Sequence, residues 1–309
     1  MFRNKDYVLA ILKAGSFSKA AEEMYISQPS LSASIKRIED KISSPVFNRT
    51  TPVTLTETGR EYVRQALAIK EIENDFSKYV ADHSELLAGT IKIGGSSLFS
   101  SYILPPMISA FSKEYPQIKF EIFENSTKEL IQGLTDGALD IIIDNAVINN
   151  PNISSNKCTS EILLLAVPKS FKVNDGLDAF RLTAADIKLE RHHHSKYIVD
   201  IEHFSSAPFI LLNPENDTGK RANAILKKHN LTPEIIFSLD QQVTAHNIAG
   251  TGMGVTFVSD TLIKHIDINT TLYYYVLSDA EISRDIYFYY KYNHYLSTAC
   301  RKFIEFNKD

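Results

Sequence analysis

The sequence predicts a two-part chain: a small N-terminal helical part and a larger α/β part, joined by one long helix. Three observations predict it. Residues 15–39 read as two short helices around a tight turn, residues 57–87 contain no proline and one glycine, and beyond Gly89 strand patterns alternate with helix patterns. The 309 residues allow two to three domains, and 44% hydrophobic residues is enough for real cores.

The first element is the most informative. Gly15-Ser16-Phe17-Ser18-Lys19-Ala20-Ala21 opens a short helix that Ser18 can cap, with Ala20 and Ala21 small enough for close packing. In the segment Ser27–Glu39, Leu31, Ile35 and Ile38 recur at i, i+4 and i+7, the spacing of a buried stripe. Pro29, Ser32, Ala33 and Lys36 fall on other faces. Ser27 is a good N-cap, and Pro29 lies in the first turn, where its missing N–H does no harm. The exposed end of this helix therefore carries hydrogen-bonding side chains. That is helix-turn-helix geometry, with the second helix as reader of a major groove; an amphipathic pair in an ordinary core has the same spacing.

The net charge of −4 argues against nucleic acid until the chain is divided. Residues 1–60 hold nine Lys/Arg and six Asp/Glu, a net +3, so the remainder carries −7. Phosphate attraction is screened within about 10 Å, so the sign of the small part matters more than the total. A charge of +3 is weak for one module and points to two acting together.

From Glu57 to Leu87 one helix of roughly 45 Å is expected at 1.5 Å per residue. Its heptad-spaced positions read Tyr62, Gln65, Ile69, Ile72, Phe76, Tyr79, His83 and Leu86, six of the eight apolar. So narrow a seam calls for a partner helix, with Ile69, Ile72, Phe76 and Tyr79 as the dimerisation residues of a homodimer. Packing on the chain's own larger part is the alternative.

Gly89 ends that helix. Strands are expected at 91–95, 118–123 and 139–144, with helices at 98–115 and 127–136 between them. Further strands follow near 162–167, 208–212, 235–239 and 254–258, with helices at 219–229 and 241–250. Two Tyr-rich strands, 272–276 and 286–290, precede a closing helix at 295–306.

The stretch from Tyr7 to Gly59, including Phe47-Asn48-Arg49-Thr50 and Leu55-Thr56-Glu57-Thr58-Gly59, resembles the winged helix-turn-helix domain of LysR-type bacterial transcriptional regulators. The resemblance implies a DNA-binding domain over 1–58, a linker and dimerisation helix over 59–88, and base-edge contacts from Gln28, Pro29 and Ser32, with a wing after Arg49. The expected DNA-binding set is Ser27, Gln28, Pro29, Ser32, Lys36 and Arg49; the glutamine amide suits adenine and serine suits several bases. Three departures stand out. Ala33 replaces a frequent arginine, Ser43 stands where glycine is usual, and the wing Thr50-Thr51-Pro52-Val53-Thr54 has no basic residue.

Beyond Gly89, Leu104-Pro105-Pro106, Phe111 to Pro116, Gly137-Ala138-Leu139-Asp140, Gly252-Met253-Gly254 and Leu277-Ser278-Asp279 resemble the effector domain of the same family. This implies a periplasmic-binding-protein-like α/β domain over 89–309. Subdomain I would span about 89–162 and 268–309, and subdomain II about 163–267, joined by two crossover strands around a ligand cleft. The function implied is a sequence-specific, cytoplasmic DNA-binding transcriptional regulator that answers to a small-molecule effector. Its partners would be double-stranded DNA, the effector and further copies of the chain, as a homodimer or the tetramer common in the family. The alternative is a cytoplasmic small-molecule receptor or an α/β enzyme with a degenerate DNA-binding module.

Open α/β sheets bind ligands beyond the carboxyl ends of their strands, near helix N-termini. Ser96-Ser97, Ser126-Thr127 and Asn216-Asp217-Thr218 occupy such places, so Ser96, Ser97, Ser126, Thr127 and Thr218 are the expected effector contacts. In the family, positions matching Ser97 and Thr127 touch the effector. A small carboxylate or other anion is expected there, although Ser126 with Glu129 also fits a capping box.

Other motifs carry less. Gly250-Thr251-Gly252-Met253-Gly254 runs from helix to strand, the reverse of a dinucleotide loop. His192-His193-His194, with His203 nearby, lacks metal-ligand spacing and reads as a solvated insertion, so no metal or other cofactor is expected. Cys158 and Cys300 read as reduced structural thiols. No nucleophile, base and oxyanion set is evident, so the chain is not expected to be an enzyme, and no apolar run is long enough to span a membrane.

Overall fold

The apolar stripe of the second short helix organises the N-terminal part. Leu31, Ile35 and Ile38 are buried against Val8, Ile11, Ala20 and Ala21 of the two helices before it. The computed structural model describes residues 1–48, 50, 52–82 and 89–308. Helices α1 (Lys5–Ala14), α2 (Phe17–Glu23) and α3 (Gln28–Ile42) lead to a ribbon of β1 (Phe47–Asn48) and β2 (Thr54–Leu55), then to α4 (Glu57–Asp82). Among the described residues the ribbon is the β element of this otherwise helical part. Gly15 makes the α1–α2 turn at φ 64°, and its carbonyl accepts the Val53 N–H at 3.1 Å, which ties the ribbon to the turn. The cap of α2 is Ser16, accepting from Lys19 N–H, and not Ser18, because the helix already begins at Phe17.

The helix expected as a separate segment over 59–88 begins at Glu57 and shares this core. Tyr62, Val63 and Ala66 are buried in it, and the Lys5 ammonium on α1 lies 2.8 Å from the Glu73 carboxylate. Met1–Val80 thus forms one compact unit and Ala81–Asp309 a second. His83 and Leu86 of the seam lie outside the described residues.

The second unit begins with β3 (Gly89–Gly95), α5 (Leu104–Glu114), β4 (Ile118–Glu124), α6 (Thr127–Thr135) and β5 (Ile141–Asp144). β6 (Ile153–Pro168), α7 (Ala184–Lys188), β7 (Ile198–Val199), β8 (Phe209–Leu212), α8 (Asp217–Lys228), β9 (Ile235–Leu239), α9 (Gln242–Gly250) and β10 (Val255–Ser259) follow. The unit closes with α10 (Asp260–His265), β11 (Leu272–Leu277), β12 (Ser283–Lys291) and α11 (Thr298–Phe306). Two sheets share one strand. The first runs β4-β3-β5-β12-β6, with β4, β3 and β5 parallel; the second runs β9-β8-β10-β6-β11-β7, with β9, β8 and β10 parallel.

β6 changes partners where the expected boundary falls. Ile162 pairs with Ser283 of β12, and Leu163 pairs with Ser259 of β10. Its polar first half, 153–161, was not expected as strand, because alternating Ser, Asn, Lys and Thr carry little apolar signal. The return crossover differs from expectation. β11, placed in subdomain I by the boundary at 268, pairs antiparallel with β6 from Leu272↔Pro168 to Val276↔Leu164 and so belongs to the second sheet. The reason is burial: Tyr274 and Tyr275 are fully enclosed in the second sheet's core, so the chain crosses back only at 278–282. In the histidine insertion His193 and His194 are exposed as expected, and His192 departs. His192 is 1% exposed, held 2.9 Å from Asp260 at the start of α10.

Candidate nucleic-acid interface and ligand cleft

On the first unit, the N-terminal end of α3 is open. Ser27 caps it, accepting from Ser30 N–H at 3.3 Å, and Gln28, Pro29 and Lys36 are exposed while Ser32 is half-buried. The Gln28 side-chain amide donates to Ser32 Oγ at 3.0 Å, which orients the exposed glutamine. A concavity of about 290 Å³ runs beside it, lined by Ser16, Phe17, Ser18, Gln28, Ser32, Thr50 and Val53. Helix start, turn and wing therefore share one face. Arg49 lies outside the described residues. Along α4, Tyr62 faces the unit's own core, Ile69 is half-buried, and Ile72, Phe76, Tyr79 and Val80 are exposed.

On the second unit, a cleft opens at the carboxyl ends of β3 and β5 on one side and the N-termini of α8 and α9 on the other. Its lining brings together Ser96, Thr127 and Thr218 of the expected contacts, with Asp144, Asn145, Asn216, Asp217, Gln241 and Gln242. Ser97 and Ser126 are not in that lining. The cavity is about 30 Å³, room for a group the size of a water molecule.

The expected contacts are largely committed to the protein. Thr127 Oγ donates to Asp144 at 2.8 Å, and Thr218 Oγ accepts from Arg284 Nη1 and Gln242 Nε2, both at 2.9 Å. Ser126 and Glu129 form the capping box: Glu129 accepts from Ser126 N–H at 3.1 Å and Oγ–H at 2.7 Å, and the Ser126 hydroxyl and amide hold that carboxyl below its ordinary range. Behind the lining, Arg284 of β12 bonds Glu161 of β6 at 2.7 Å and Asp217 of α8 at 2.9 Å, while Asn145 donates to the same Glu161 oxygen at 2.8 Å. Arg284 joins both crossovers to the cleft wall.

Asp144, Asn145, Glu161, Gln242 and Arg284 were not singled out from sequence, and Asp217 entered only as part of the Asn216-Asp217-Thr218 segment. The available signal was a lone charge ending an apolar strand pattern, as at Asp144. Burial pushes the Asp144 carboxyl up, opposed in part by the Ala146 N–H and the Thr127 hydroxyl.

His192, His193 and Asp260 bring one possible ligand atom each within 4.8 Å of one another. The Lys264 ammonium, 3.0 Å from the same Asp260 oxygen that His192 meets, already supplies a cation there. Burial opposes ionisation of Asp260, but His192, the Ile162 N–H and Lys264 together outweigh it and hold the carboxyl at about 2. Cys158 and Cys300 are both buried and not joined by a disulfide. No helix among the described residues is long and apolar enough to cross a membrane.

Comparison with known proteins covers nearly the full length. The model of the bacterial regulatory helix-turn-helix protein, lysR family, matches residues 2–60, and that of the LysR substrate binding domain matches residues 84–309. The uncharacterized HTH-type transcriptional regulator YcgK of Bacillus subtilis is 25% identical over 305 residues, 98% of this chain and 93% of that one. A probable RuBisCO transcriptional regulator of Gracilaria tenuistipitata var. liui is 26% identical over 302 residues, 95% and 91% of the two chains. Among solved structures, a full-length OxyR variant from Pseudomonas aeruginosa superposes with a TM-score of 0.71 at 19% identity, covering 97% of this chain and 92% of its own. Full-length CbnR complexed with its target DNA gives 0.64 at 15% identity, covering 99% and 98%. At these identities the structures speak for the fold.

Proposed function

The chain belongs to the LysR family of DNA-binding transcriptional regulators, and we propose that it reads its operator with the open end of α3. Gln28 and Ser32 address base edges, Ser27 and Pro29 set the helix start against the groove, and Lys36 and Arg49 add phosphate attraction. The observation that supports this most directly is the shared face of α3 and the wing, with Gln28 held outward by Ser32. The exposed apolar residues Ile72, Phe76 and Tyr79, with Ile69 beside them, form the dimer seam, so that two reading helices meet a pseudo-palindromic site.

The cleft of the second unit is the effector site, and the protein's work is binding, carried out in the cytoplasm beside the chromosome. An effector with higher affinity for one degree of cleft closure shifts the population of dimer arrangements and so the spacing of the reading heads. The buried Arg284 connects the cleft wall to both crossovers and is the element through which closure is felt.

The test is binding of purified protein to genomic fragments at moderate salt, with recovered fragments sequenced. A few sites with two-fold symmetry and half-sites about one helical turn or a multiple apart are expected. Recovery of nothing above background, with and without a cell extract as effector source, overturns the reading. Ile72→Glu, which charges the seam, is expected to sediment as a monomer and to lose specific binding; sedimentation like the parent protein would remove the seam from the argument.

A further inference from the structure

We propose that the ligand of the cleft is a small organic cation, an ammonium whose charged head sits against Asp144. The inference rests on the reading of the cleft as the effector site and supplies its chemistry.

The charges around the cavity carry it. The lining holds two carboxylates, Asp144 and Asp217, and no lysine or arginine. Asp217 is matched from behind by Arg284 at 2.9 Å and Arg221 at 2.7 Å, and Glu161 by Arg284. Asp144 is different. It is 2% exposed, and its oxygens accept from the Thr127 hydroxyl and the Ala146 N–H, each at 2.8 Å. Among the described residues no ion pair touches it, and Arg284, whose charge is felt there, is in contact with Glu161 and Asp217 instead; burial pushes the Asp144 carboxyl up, so it faces the cavity without a contact cation to hold its ionised form. A cation delivered to that place is attracted in a medium of low effective dielectric, where charge pairs are worth most.

An anion meets the opposite situation. The start of α6, where one was expected, is filled by the Glu129 carboxylate; the start of α8 is capped by Asn216 and carries Asp217 in its first turn. External carboxylates would be added to carboxylates. Size and polarity agree with an ammonium head: about 30 Å³ takes a group as large as water, and Asn145, Asn216, Gln241 and the Ser96 hydroxyl surround it with acceptors for N–H donors. Leu98 and Val243, the apolar residues of the lining, give a short aliphatic tail its path as the cleft widens.

The test uses the full chain and three three-carbon probes of similar size and different charge, propylammonium, 1-propanol and propionate, on the order of 10 mM at matched salt, followed by calorimetric titration and by melting temperature. Propylammonium is expected to bind at least about tenfold more tightly than the other two. Asp144→Asn is expected to weaken it by about tenfold or more without changing the response to propanol. Propionate binding as tightly as propylammonium, no binding of any probe, or a propylammonium response untouched by Asp144→Asn each overturns the inference. Should Asp144→Asn fail to fold, the ranking of the three probes on the parent protein decides. Repeating the genomic pull-down with propylammonium separates the two readings: binding at Asp144 that leaves the recovered fragments and footprints unchanged upholds the cation site and removes the effector role of the cleft.

Discussion

The reading face of α3 and the cleft of the second unit are both built from short polar side chains, yet they use them in opposite ways. At α3, Gln28 and Lys36 stand exposed, and Gln28 donates to Ser32, a partner that it can exchange for a base. In the cleft, Thr127, Thr218, Asn145 and Gln242 are bonded to other protein groups, and the charges among them are buried. An exposed face selects a partner by offering unused donors and acceptors to a surface that arrives with its own. A buried one selects by where charge is left over, because in a low-dielectric site an uncompensated carboxylate outweighs several satisfied hydroxyls.

The sharpest way to break this contrast is Arg284→Met. Removing the guanidinium leaves the Glu161 carboxylate enclosed without its cation, and a loss of about 3–5 kcal/mol is expected in urea unfolding of the second unit. A loss under about 1 kcal/mol would mean that the floor of the cleft is wetter than its burial implies. The exposed face should be affected through binding alone. Gln28→Ala is expected to cost about 1–3 kcal/mol on a specific site, with little change on random DNA and none in unfolding. Equal losses on both DNAs would make Gln28 a positioning residue.

A smaller effect tests backbone strain beside the reading helix. Ser43 closes α3 in the left-handed region at φ 54°, where a side chain is unfavourable. Ser43→Gly is expected to stabilise the first unit by roughly 0.5–1 kcal/mol in thermal unfolding, since glycine relieves the strain but loses more chain entropy on folding. Destabilisation would show that the serine is held there by interactions worth more than its strain.

The smallest effect concerns pH. His229 at the end of α8 lies 2.8 Å from Asp279 and 2.5 Å from Glu202, and these carboxylates raise its pKa, Asp279 most. A raised folded-state pKa means stability that is fully present below the unfolded value of about 6.5 and lost as pH rises through the folded value. His229→Gln is therefore expected to flatten the decline in melting temperature of the second unit on the alkaline side of pH 6.5. A decline of unchanged steepness would assign it to other groups.

Much of this architecture was legible in the chain. The stripe Leu31, Ile35, Ile38, the cap Ser27, the capping box Ser126–Glu129 and the buried strand ending at Asp144 all rest on neighbours within a few residues, and each stands where spacing placed it. The misplaced parts depend on distant partners. β11 joins the second sheet through pairing with β6 about a hundred residues earlier, and the polar half of β6 is a strand because β12 lies beside it. His192 is enclosed because Asp260, sixty-eight residues away, waits beneath it with Lys264.

The sequence by itself determined the two-part order of the chain, the register of the reading helix and the kinds of element in the α/β part, since propensity, capping and amphipathic period act over one or two turns. Only the tertiary structure decided the character of the cleft. Whether a carboxylate is neutralised depends on which arginine arrives across the sheet. Arg284 makes its contact ion pairs with Glu161 and Asp217, and among the described residues Asp144 has none, an outcome set by long-range strand pairing and invisible to any local pattern.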